Sequence, residues 1–268
     1  MVPTMDTLIL PTITLWQREI VRFYRQRSRI VGALATPILF WLLLGSGFAD
    51  SFRPTAGASA GGYAEYFYPG TIILVVLFTA IFSTISVIED RKEGFLQAVL
   101  VAPVARSTVV LGKILGGTTL ALGQAVLLLA AAPFLGFRLG PVDVVLAVAI
   151  LFVVAFGLTT LGFLIAWKMD STQGFHAVMN LVLIPMWLLS GAFFPAAGAS
   201  GWLRGVMFLN PLTYGVAALR RCLYAGTTTV GPDVPALALS LLVTCGFAAL
   251  AFLAARSLAS RPLDVGLA

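Results

Sequence analysis

The sequence predicts an all-α polytopic membrane protein. It has six transmembrane helices, an N-terminal amphipathic interfacial helix, and short outer re-entrant or interfacial helices before the last span. Three observations predict this. The 268 residues are 59% hydrophobic and only 10% charged, against about half apolar and a quarter charged in an ordinary soluble domain. Mean hydropathy is +0.99. Apolar residues also come in charge-free runs of about 20, long enough as helix to cross roughly 30 Å of hydrocarbon. The alternating ten-residue segments of a transmembrane β-barrel do not occur.

The chain divides into an N-terminal segment 1–29, a transmembrane domain 30–255 and a tail 256–268. In the first segment, "TLWQREIVRFYRQRSR" places Leu15, Trp16, Ile20, Phe23 and Tyr24 at helical spacing. Arg18, Arg22, Arg25 and Arg29 cover another face. A basic helix with aromatic residues reads as lying in the membrane interface. The spans follow at 30–48, 68–88, 108–134, 142–166, 175–194 and 235–255, with Pro37 and Pro185 as natural kink sites. No cleavage pattern follows the first span, so no cleaved signal peptide is expected.

Twelve of the 17 basic residues fall on one side of these spans: Arg18, Arg22, Arg25, Arg27, Arg29, Arg91, Lys92, Arg106, Lys113, Lys168, Arg256 and Arg261. The excess marks that side as cytoplasmic and places both termini there. Residues 50–62, with "PTAGASAGG", read as an outer loop. The outer segment 195–232 is apolar but interrupted by Asn210-Pro211, which fits two short helices better than a span; such backbone is tolerated where protein covers it.

Several function classes are excluded or disfavoured. The net charge of +6 is explained by topology rather than nucleic acid. Cys222 and Cys245 form no C-x-x-C pair and predict no metal or redox site. The only Gly-Lys pair, Gly112-Lys113, is followed by Ile114 and is no P-loop. The span cores carry essentially no Asp, Glu or His to couple an ion gradient; Gln124 and Asn180 are the most polar interior candidates. Ser200 in "GASG" with six spans resembles a rhomboid protease. However, the only histidine, His176, precedes it, so no later base is available, and His176 reads as a packing residue. Gly112 and Gly116 form G-x-x-x-G, and Gly157, Thr159 and Gly162 crowd span four. These small residues allow close helix approach, within one chain or between two.

The segment 89–103 concentrates charge. Glu89, Asp90, Arg91, Lys92 and Glu93 are consecutive, and the carboxylates are expected to open a short helix. After Gly94, the residues Phe95, Leu96, Val99 and Leu100 make one apolar face, and Pro103 stops it. Such a helix either lies against lipid and the protein's own helix ends or docks in a groove of a cytosolic partner, with Phe95 and Leu96 as anchors.

"EDRKEGFLQAVLVAPVARSTVVLGK" resembles the loop after the second span of ABC-2 type transporter permeases, which there is the coupling helix that meets an ATPase. "LLSGAFFPAAGASGWLRGVMFLNPLTYGVAALR" is similar to that family's outer segment through Ser190, Gly191, Phe194, Pro195, Asn210, Pro211, Tyr214 and Arg220. Phe95 and Ala102 depart from the family's usual Thr and Ser/Thr. The resemblance is nearest the permeases of drug exporters and of nodulation-type lipo-oligosaccharide exporters. It implies a non-enzymatic permease of the cytoplasmic membrane, with no cofactor of its own. ATP would be bound by two copies of a separate ABC ATPase subunit under 89–103, next to the N-terminal helix and the 168–174 loop. It further implies pairing with a second permease copy or a related chain, an outer gate at 188–220, and an amphipathic drug-like or lipid-linked cargo moved outward. The alternative from another class is an ATPase-independent channel or intramembrane enzyme.

Overall fold

The computed structural model describes residues 5–48, 62–102, 104–225 and 234–260. Among them there is no strand. Six helices are long and apolar enough to cross a membrane. Helix α1 (Met5–Arg25) ends at Gln26, whose ψ of 75° is not helical, and α2 (Arg27–Gly47) follows. Then come α3 (Gly62–Lys92), the short α4 (Phe95–Val101), α5 (Arg106–Ala131), α6 (Pro141–Trp167) and α7 (Thr172–Trp187). Two short helices, α8 (Gly201–Leu209) and α9 (Pro211–Leu223), precede α10 (Leu237–Ser260). Residues 50–61 of the loop expected at 50–62, residues 226–232 of the outer segment, Pro103 and most of the tail lie outside the described residues.

α3 is the central helix, with 89% of its apolar window buried, and it packs on α2, α5 and α6. Its 31 residues, at about 1.5 Å each, exceed the hydrocarbon thickness. One continuous helix therefore reaches both ends of the bundle. α10 packs on α6 and α9.

α1 lies along α5. Leu15, Glu19 and Phe23, one helical turn apart, are all buried. The G-x-x-x-G of α5 makes this possible. A Cβ on Gly112 would stand 2.8 Å from the Leu15 Cβ, and one on Gly116 would stand 2.6 Å from the Glu19 Cβ. The small residues thus serve packing within one chain. Ile9, Leu10, Ile13, Val21 and Tyr24 remain exposed on the outer side of α1, as an interfacial helix requires.

Candidate functional site

The charged stretch is divided by Gly94, whose φ of +76° lies in the left-handed region. The carboxylates therefore do not open the short helix. Glu89 and Asp90 sit in the last turn of α3, Glu93 follows it, and α4 begins only at Phe95. Carboxylates at a helix C-terminus oppose the helix dipole, so they need cations from elsewhere. Replacing Gly94 by Ala is expected to cost about 1–2 kcal/mol through the positive φ alone, since no atom lies within 4 Å of the added Cβ. A lower thermal midpoint in detergent checks it.

The cations come from α1 and α5. Asp90 is 0% exposed. Arg18 grips it with two nitrogens at 2.9 and 2.7 Å, Arg22 donates at 2.5 Å and Lys113 at 2.5 Å. Lys113, itself 5% exposed, also pairs with buried Glu19 at 2.8 Å. Arg22 reaches on to Glu89 at 2.9 Å and to exposed Glu93 at 3.4 Å. Burial alone would lower the Arg18 pKa, but the hydrogen bonds and charge of Asp90, with Glu19 and Glu93, hold it above its usual value. Breaking such a buried pair is costly because the remaining charge is left uncompensated.

This cluster carries α4. The Arg18 guanidinium lies 3.7 Å from the centre of the Phe95 ring, a cation–π contact. Leu96 is 1% exposed and belongs to the main core. The apolar face of α4 therefore turns inward. Asp90 and Leu96 are not available as docking anchors, and Phe95 and Val99 are only half-exposed. The Leu100 side chain lies outside the description. The outward face is instead Lys92, Glu93, Gly94, Gln97, Ala98 and Val101, the last 86% exposed. Arg91 faces another way. It donates to the carbonyl of Trp167, to that of Met169 at 3.1 Å and to Asp170 at 3.1 Å, fixing the α6–α7 connection beside α3.

Glu19 has no place in the sequence-based expectations, and Lys113 enters them only as one of the cytoplasmic basic residues and in the Gly-Lys pair that is no P-loop. The signal was a lone carboxylate between Arg18 and Arg22 on a basic amphipathic helix.

The other end of α3 holds the second constellation. After α7 the chain makes an irregular turn, Leu188–Ala192, in which Gly191 has φ +77°, the left-handed conformation with which glycine commonly ends a helix. Gly70 of α3 lets this turn approach, because a Cβ there would stand 2.6 Å from the Ala192 Cβ. The Tyr66 hydroxyl donates to the Gly191 carbonyl at 2.9 Å and the Tyr63 hydroxyl to the Phe193 carbonyl at 3.0 Å. The Ser190 hydroxyl donates back to the Trp187 carbonyl at 2.5 Å.

Asn210 joins the pieces. Its Oδ1 accepts from the Leu212 amide at 3.0 Å, capping α9, and its Nδ2 donates to the Met186 carbonyl at 2.5 Å. Pro211 is the first residue of α9, where its missing N–H costs nothing. The Tyr214 hydroxyl donates to the Phe208 carbonyl at 2.9 Å, tying α9 to α8. The Phe194 ring packs on Phe193, and Pro195 precedes a 3-10 turn at Ala196–Gly198. Arg220 reaches from α9 to Tyr66 and Gly191. Of the sequence-predicted outer residues, Ser190, Gly191 and Arg220 meet at this turn, while Asn210 and Tyr214 fasten α9 to the end of α7 and to α8.

Ser200 is exposed at this end, ahead of α8. His176 packs edge-on against Phe82 and Phe175 in the first turns of α7, about 16 Å along the helix from its far end, after which Ser200 lies. The two cannot form a nucleophile–base pair.

A family model described as ABC-2 type transporter matches residues 11–224. The putative transport permease ycf38 of Cyanophora paradoxa is 27% identical over 207 residues, 76% of this chain and 71% of that protein. The inner membrane transport permease YadH of Escherichia coli K12 is 25% identical over 210 residues, 77% of this chain and 80% of its own length. Nodulation protein J of Rhizobium leguminosarum bv. viciae is 23% identical over 254 residues, 94% of each chain.

Proposed function

The chain belongs to the ABC-2 type transporter family, and on that premise we propose that it is the membrane-spanning subunit of an ATP-driven exporter. Two copies of this chain, or one with a related chain, form the substrate path. Two copies of a separate ABC ATPase subunit bind on the cytoplasmic side, where both termini lie. The cargo is an amphipathic drug-like or lipid-linked molecule, moved outward across the cytoplasmic membrane. The similarity to YadH, an inner membrane transport permease, and to nodulation protein J supports this reading.

The observation that carries it is the exposed face of residues 92–101, fastened from behind by the buried cluster at Asp90. A surface meant to transmit force needs rigid backing. Here Arg18, Arg22 and Lys113 bind α1, α3 and α5 into one unit beneath α4. ATPase closure pressing on this face would move α3 as a body. The same helix holds the Gly191 turn through Tyr63 and Tyr66 at its far end, so the two ends share one rigid element whose position both can bias.

The test is Glu93→Lys on the exposed face. Because Glu93 makes only a long 3.4 Å contact to Arg22, folding is expected to be retained. Export and co-purification of the ATPase are expected to fall about tenfold, the size of one lost interfacial charge contact. Unchanged values for both would sink the docking claim.

A further inference from the structure

Arg220 is 7% exposed and, among the described residues, meets no carboxylate. Its Nη1 donates to the Tyr66 hydroxyl at 3.4 Å, and its Nη2 donates to the carbonyls of Tyr66 at 3.4 Å and Gly191 at 3.1 Å. The guanidinium lies 4.2 Å from the centre of the Tyr66 ring. Its buried Nε has no partner. Among the described residues, the neighbouring Arg221 likewise reaches carbonyls, those of Pro235 and Val234, at 2.6 Å each. The opposite end of the bundle differs: there Arg18, Arg22, Arg91 and Lys113 all reach carboxylates.

A buried cation held by two long bonds and one ordinary one, all to neutral oxygens, is under-compensated. Tying α9 to the Gly191 turn would need only a neutral donor. A guanidinium fork matches the oxygens of a phosphate-type anion, and such charge-assisted bonds are roughly twice as strong as neutral ones. One of the neutral acceptors, Gly191, stands on the irregular 188–192 turn. Displacing that turn removes an acceptor and uncovers the fork.

We propose that Arg220 is the binding residue for the anionic phosphate-type headgroup of an amphiphile, engaged when the 188–192 turn moves off it. The identification of that amphiphile as cargo rests on the exporter reading. Binding itself is measured without any ATPase, so its failure is distinct from a failure of ATPase docking.

The full chain in phosphatidylcholine nanodiscs is treated with phenylglyoxal, and the arginine adducts are quantified by peptide mass spectrometry. Monododecyl phosphate is expected to lower the adduct at Arg220 at least fivefold relative to an uncharged dodecyl glycoside, with exposed Arg204 as internal control changing less than twofold. The same protection from a phosphatidylglycerol bilayer alone would support the site and assign it to surrounding lipid. Protection by inorganic phosphate alone would overturn the amphiphile. Equal labelling under all conditions, or no labelling of Arg220 under any, would overturn the site. As a second measure, Arg220→Gln is expected to retain at least tenfold less monododecyl phosphate in native mass spectrometry, and undiminished retention would overturn the proposal.

Discussion

Asp90→Asn is expected to destabilise the folded chain by about 3–5 kcal/mol, the usual cost of breaking a buried ion pair. The amide keeps the shape of the carboxylate but removes its charge and turns one of its two acceptor oxygens into a donor. Arg18, Arg22 and Lys113 all lie within hydrogen-bond distance of Asp90, and they would then face an amide that cannot balance them. Lys113 suffers most, because it is almost wholly buried and would keep only Glu19 as an anionic partner. Such a loss is a large share of a typical domain's stability of about 5–15 kcal/mol. The measurement is the thermal midpoint and monodisperse yield in detergent. The double variant Asp90→Asn with Lys113→Met removes both charges and is expected to recover part of the loss, because the surviving cation is the source of the penalty. A wild-type midpoint for the single variant would refute the structural role given to the cluster.

Gly116→Leu is the second large effect. Even a bare Cβ at this position would stand 2.6 Å from the Glu19 Cβ and 3.1 Å from its Cγ. The remaining leucine atoms would have to occupy the space of α1 itself. Overpacking of this kind costs about 1–3 kcal/mol where neighbours can shift. Here the shift also draws Glu19 away from Lys113, so the ion cluster is weakened as α1 lifts. The expected result is faster proteolysis of the N-terminal helix, with α3, α6 and α10 still protected. Gly123→Leu, on the same helix with nothing within 4 Å of an added Cβ, is the control and should leave α1 docked. Equal proteolysis in both variants would refute the assignment of the G-x-x-x-G to this contact.

The spans were legible because a run of about 20 apolar residues needs no knowledge of its neighbours. The carboxylates of 89–93 were legible as a concentration of charge, but their surroundings were not. Asp90 finds Arg18 across 72 positions of chain, and nothing local announces that pairing. The apolar residues of α4 were likewise visible. A seven-residue helix makes only about two turns, too few to say whether its apolar face meets a partner or its own bundle. The packing turned Leu96 inward and left Gln97, Ala98 and Val101 outside. At the other end, Asn210-Pro211 could be read as an interruption. That Gly191, inside the expected span 175–194, breaks the helix in a turn held by Tyr66 could not.

The sequence by itself determined the number and order of the membrane helices, the interruption at Asn210-Pro211, and the absence of a P-loop. These depend on apolar run length, backbone preference and contiguous motif, which are local properties. Only the tertiary structure decided which charges are buried, that the small residues of α5 receive α1, and that Arg220 is held without a carboxylate. Those depend on which helices become neighbours, because a charge is stabilised or left exposed by atoms within a few ångströms of it, wherever in the chain they arise.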